Sequence, residues 1–169
     1  MIKGLTGLIA VTAAEAATKT YVRSLTESGR LDELLLLITE IAEQGEVAVT
    51  GRQFAPAMGL SRSLGYAAAC HTLANGYSAA NPVTPESEAE RVWKEQVDSF
   101  ERRALALARA LRVDDLEALY AELGTVPWLT SVEAHEVGGG HYLAGYITAC
   151  WDLASRDLTV LQAVEVGEA

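Results

Sequence analysis

A chain of 169 residues that is half hydrophobic, with four prolines and a net charge of −10, can bury a core but has little lysine or arginine to hold phosphate by charge alone. Its two cysteines make no disulfide framework and no apolar run is long enough to span a bilayer, so a soluble, cytoplasmic, mostly α protein is expected, with no cofactor and no metal. The acid is unevenly spread: the thirty-nine residues from 47 to 85 contain no Asp or Glu and carry Arg52, Arg62 and His71.

The opening MIKGLTGLIAVTAAEA is too short in its apolar run for a signal peptide, and none is expected. Thr12 and Glu15 have capping-box spacing, which predicts a helix from Thr12 to the break at Ser28-Gly29. A leucine-rich helix follows from Asp32 to Gln44, with Gly45 as its stop, and Glu46 to Thr50 has the composition of a brief strand. Thr50 and Gln53 then open a short helix ending at Gly59, and Ser61 caps another that runs to Asn75.

Asn81 to Pro85 is the clearest linker and divides the chain into units 1–83 and 84–169. Thr84-Pro85-Glu86 starts a long helix to Leu111, and Asp114 to Gly124 makes the next. Thr130 caps a short helix to Val137, His141 to Ser155 forms the last, and Leu158 to Val166 alternates weakly as a strand would.

The two units share an order. GYAAACHTLA from Gly65 and GYITACWDLA from Gly145 agree at six of ten positions, at an offset of eighty. Upstream, Leu31-Asp-Glu-Leu34 matches Val113-Asp-Asp-Leu116, and Leu37 and Glu40 match Leu119 and Glu122, at an offset of eighty-two. An internal duplication is the expectation.

The stretch Thr50-Gly-Arg-Gln-Phe-Ala55-Pro-Ala-Met-Gly59-Leu-Ser-Arg-Ser63 resembles the helix-turn-helix of winged-helix regulators of the MarR-like and IclR-like groups, over about a quarter of the chain. The resemblance implies that Ala55 lies where the two helices touch, Gly59 makes the turn, Leu60 enters the core and Ser61 caps a recognition helix. It implies a DNA-binding transcriptional regulator, with Arg62, Ser63 and Tyr66 near base edges and Arg52 at a phosphate. The long helix to Leu111 then supplies a homodimer interface, as two-fold readers need.

Two other readings stand beside that one. The chain can be an acidic helical module whose partner is a protein or small ligand, or an enzyme that uses Glu133, His135, Glu136 and His141 beside Gly138-Gly-Gly140. The glutamates and histidines lack zinc-site spacing, and Tyr66, Cys70 and Leu73, mirrored by Tyr146, Cys150 and Leu153, form a stripe that reads as core.

Overall fold

The computed structural model describes residues 4–75, 88–126 and 139–156. They form six helices with no strand among the described residues: α1 (Gly4–Glu27), α2 (Leu31–Thr50), α3 (Phe54–Asn75), α4 (Glu88–Arg109), α5 (Val113–Leu123) and α6 (Gly139–Arg156). The mostly α expectation holds.

Turns of three residues join α1 to α2 and α2 to α3, so each successive helix folds back on the one before. Three helix ends close in one way. The Arg30 amide bonds the Leu25 carbonyl at 2.9 Å, Gln53 bonds Ala48 at 2.8 Å, and Arg112 bonds Leu107 at 2.9 Å. Each closure places the preceding residue in the left-handed region: Gly29 at φ 71°, Arg52 at 56° and Leu111 at 58°.

Two sequence expectations fail here, for related reasons. The strand expected over Glu46–Thr50 is the last part of α2, and Gly45 lies inside that helix instead of stopping it. Leu60 comes against Gly45, where an added Cβ would meet the Leu60 Cβ at 3.8 Å, and Ile41, Ala48, Ala57 and Leu60 make a small cluster between α2 and α3. Burial of this face outweighs the local β propensity of Val47 and Val49.

The helix-turn-helix expected around Gly59 is likewise absent: α3 runs unbroken from Phe54 to Asn75, with Gly59, Leu60 and Ser61 in its interior. Gly59 is buried and Ala55 is exposed, the reverse of what a turn at 59 and a helix contact at 55 would need. A glycine within an alanine-rich helix gives up about 1 kcal/mol of propensity, a loss that burial against a neighbour can offset. The expected linker, the Thr130–Val137 helix and the Leu158–Val166 strand lie outside the described residues.

The centre of the molecule is α3 lying against α6. The early part of α3 meets the early part of α6, with Arg62 against His141 and Gly65 against Tyr142, and the later parts meet each other, with Tyr66 bonded to Asp152 and Thr72 to Tyr146. The two helices therefore run side by side in one direction. Close approach is set by glycine, since a Cβ on Gly65 would overlap the Tyr142 carbonyl and one on Gly145 would overlap the Arg62 carbonyl.

One core joins the two units. Val22, Leu25, Leu34, Tyr66 and Leu73 pack in the same cluster as Phe100, Ala104, Leu116, Leu143, Tyr146 and Leu153. The long helix expected to provide a dimer face spends its apolar stripe here: Val97, Phe100, Ala104 and Ala108 of α4 are all buried in the chain's own core.

Candidate functional site

Charged and hydroxyl side chains meet along the seam where α1 and α6 cover α3. Positions 15, 19 and 23 of α1 fall at helical spacing, so Glu15, Lys19 and Arg23 form one ladder toward α3. The Arg62 guanidinium donates to Glu15 through Nε at 3.1 Å and Nη2 at 3.0 Å, and through Nη1 to His141 Nδ1 at 2.9 Å. Arginine can only donate, so Nδ1 accepts and the neutral imidazole carries its proton on Nε2.

Further along, the Lys19 ammonium lies 5.6 Å from the Tyr66 ring centroid. The Tyr66 hydroxyl donates to Asp152 Oδ2 at 2.7 Å, and Arg23 stands 3.9 Å from the same oxygen. Burial and the Asp152 bond push the Tyr66 hydroxyl far above its ordinary range, so it stays protonated and acts as a donor. On the other side of α6, the Tyr142 hydroxyl donates to Glu101 Oε2 at 2.9 Å. Burial raises the Glu101 carboxyl to about 7, and the Tyr142 bond opposes that rise.

The structure divides the residues expected to contact DNA. Tyr66 is 0% exposed and Ser63 is 2% exposed, so neither can meet a base edge while α3 holds this place. Arg62 is half-buried and committed to Glu15 and His141. Arg52 is exposed on the turn between α2 and α3, away from the other three. Ser61 is an interior residue of α3 and caps nothing.

Of the residues expected for catalysis, Glu133, His135 and Glu136 lie outside the described residues, while His141 stands on the first turn of α6 against Arg62. Among the described residues no group of three or more His, Cys, Asp or Glu side chains is placed to hold a metal. Cys70 and Cys150 are free and buried, and burial pushes the Cys70 thiol up to about 12 and the Cys150 thiol higher still. Neither is a nucleophile near neutral pH.

Sequence reasoning gave Glu15 a capping role alone and passed over Asp152, Glu101 and Tyr142. Glu101 sits in a run of Glu and Arg that reads as a solvated face, and only the α6 contact distinguishes it. Tyr142 had a signal: it stands eighty residues after Arg62, and each holds the carboxylate of a neighbouring helix.

A groove of about 420 Å³ opens elsewhere, between α4 and α5, with Leu107 and Leu119 on its floor. Arg103 and Arg112 flank it, held by Glu122 and Asp115 respectively. No helix among the described residues is long and apolar enough to cross a membrane. No protein-family model matches the chain, and no curated protein or solved structure gives a significant match.

Proposed function

We propose that this protein is an acidic helical interaction module, built of two related helical units and acting through the solvent faces of its outer helices. The position of α3 and α6 carries this reading. They form the inner pair, so of the polar residues that the sequence offers for DNA contact Arg62 and Tyr66 bond across to α6, and Ser63 is buried without a hydrogen-bond partner.

The outer helices hold out Tyr21, beside Lys19 and Arg23, and Leu36, Val47 and Tyr120 among acidic neighbours. One exposed apolar residue is ordinary on any protein. Four of them on a chain of net charge −10 suit contact with another protein better than contact with phosphate.

The relatedness of the units is supported by features at constant offsets. Gly65 and Gly145 make reciprocal backbone contacts, and the Arg30 to Leu25 and Arg112 to Leu107 turn bonds repeat eighty-two residues apart. Arg30 pairs with Glu33 as Arg112 pairs with Asp115. Two free, buried thiols suit a reducing compartment such as the cytoplasm.

A helix-turn-helix regulator would need α3 to leave the core and expose Ser63 and Tyr66. The test is affinity capture from native extract with wild type and with Tyr21→Ser/Leu36→Ser/Val47→Ser/Tyr120→Ser, alongside binding to a pool of duplex DNA at low salt. Protein capture that the variant loses, with no DNA retained, is expected. DNA binding abolished by Arg52→Glu/Arg62→Glu in a chain that stays folded would overturn the reading and restore the DNA regulator.

A further inference from the structure

The solvent face of α2 combines acid with several exposed apolar anchors, where α5, likewise acidic and without Lys or Arg, holds out Tyr120 alone. It is acidic without any compensating Lys or Arg in its own sequence, LDELLLLITEIAEQGEVAVT, and it holds out large apolar side chains. Leu36 is 71% exposed and Val47 is 63% exposed. Eleven residues separate them, which at about 100° per residue brings Val47 to within about 20° of Leu36, three turns and about 16 Å further along the helix.

Between and beside these two anchors lie Asp32, Glu40, Glu43 and Glu46, all on the half of the helix that faces away from buried Leu34, Ile41 and Ala48. Arg30, in the preceding turn, pairs with Glu33 at the N-terminal end of the stripe. Leu35, 43% exposed, widens the apolar edge beside Leu36. The stripe thus alternates apolar, acidic and apolar along three turns.

The chain contains its own comparison. At the offset of eighty-two, Leu35 and Leu36 correspond to Glu117 and Ala118 of α5, and α5 ends at Leu123, before any counterpart of Val47. The acid is retained there, while Glu117 and Ala118 stand in the places of Leu35 and Leu36. Charge alone therefore does not account for what α2 presents.

Resting on the interaction-module reading, we propose that the outer face of α2 docks a basic amphipathic helix of another protein. The apolar face of that helix covers Leu36 and Val47, and its Lys or Arg side chains reach the intervening glutamates. The charge selects the occupant: an acidic or neutral apolar helix would leave Glu40, Glu43 and Glu46 against like charge or without counter-charge, and a second copy of this chain carries the same excess of acid. Helix-on-helix docking uses apolar anchors at helical spacing, and α2 supplies a pair of them on one line.

The test uses the intact chain and a fluorescent synthetic helix of about five turns, with leucines on one face and lysines on the other, read by anisotropy. Controls are the same composition with the faces scrambled, and the same pattern with glutamate for lysine. The account expects saturable binding of the patterned basic peptide, weakened about ten-fold or more by Leu36→Ser/Val47→Ser and by moderate salt, and unchanged by Tyr120→Ser on α5. Because the replaced residues are exposed, thermal unfolding of each variant verifies that it remains folded.

No binding of the basic peptide, equal binding of the scrambled or acidic peptide, or binding that survives the α2 variant overturns the proposal. The module reading then stands or falls separately, on whether protein capture from extract persists in Leu36→Ser/Val47→Ser and is lost only when Tyr21 and Tyr120 are also replaced.

Discussion

Gly65 and Gly145 bear on each other's helices reciprocally: Gly65 lies on the Tyr142 carbonyl, and Gly145 lies on the Arg62 carbonyl. Neither contact can yield to a rotamer change, because both sides are backbone. A Cβ at Gly65 would also stand 2.9 Å from the Tyr146 nitrogen, and one at Gly145 would stand 2.9 Å from the Arg62 Cα. Gly65→Ala and Gly145→Ala should each cost about 3 kcal/mol, against the roughly 1 kcal/mol that alanine gains in helix propensity elsewhere. Thermal melts should fall by about 6–12 °C. Gly45→Ala is the control: its Cβ finds only ordinary contact with Leu60 at 3.8 Å, and this change should stabilise by about 0.5–1 kcal/mol.

Leu111 closes α4 at φ 58°, where Gly29 closes α1 at φ 71°. A leucine in that region is strained and, being 46% exposed, has little packing to lose. Leu111→Gly should therefore stabilise the protein by about 0.5–1 kcal/mol in urea unfolding, despite creating a glycine.

Glu101 gives the fold a pH dependence of definite sign. Its carboxyl titrates near 7 in the folded chain against an ordinary value of 4.5, so the folded state holds the proton more tightly than the unfolded one. The stability linked to this group is complete below the ordinary value and is lost as pH rises toward about 7, by an amount on the order of 3 kcal/mol. Glu101→Gln retains an acceptor for Tyr142 and should flatten the stability profile between those limits. Tyr142→Phe removes the bond that stabilises the carboxylate and should move the loss to higher pH.

Cys70 and Cys150 should be silent to thiol reagents in the native protein and react together only on unfolding. Both are fully buried, and burial pushes the Cys70 thiol up to about 12. Counting modified thiols by mass with and without denaturant checks this. Modification of either cysteine ahead of global unfolding would mean that the α3 and α6 contact opens locally.

The helical class and most helix boundaries were legible because apolar spacing and alanine content dominate over much of the chain. The parts that were not legible share a cause. Gly45 and Gly59 are the residues that end helices in isolation, and here each lies inside a helix that packs against another, where burial along the helix outweighs the propensity cost. Val47, Val49 and Thr50 favour a strand locally, yet they continue α2 because Ala48 is fully buried. A one-dimensional reading has no access to those contacts.

The site was legible in part through two similar stretches of sequence. GYAAAC and GYITAC mark the two central helices, and the expectation that Tyr66 and Tyr146 form core agrees with their burial. The assignment of Ser63 and Tyr66 to DNA failed to anticipate that α6 covers α3, which no spacing within residues 50–63 could reveal. Asp152 was equally hidden, since its importance arises from Tyr66, eighty-six residues earlier.

Hydrogen exchange read by mass spectrometry across α3 tests the central claim most directly. If α3 is one continuous helix at the centre of the molecule, amides from Leu60 to Leu73 exchange in the slowest class together with those from Leu143 to Leu153, without interruption at Gly59–Ser61. Exchange at Gly59–Ser61 as fast as in the Gly51–Gln53 turn would show a helix-turn-helix break there and contradict the account.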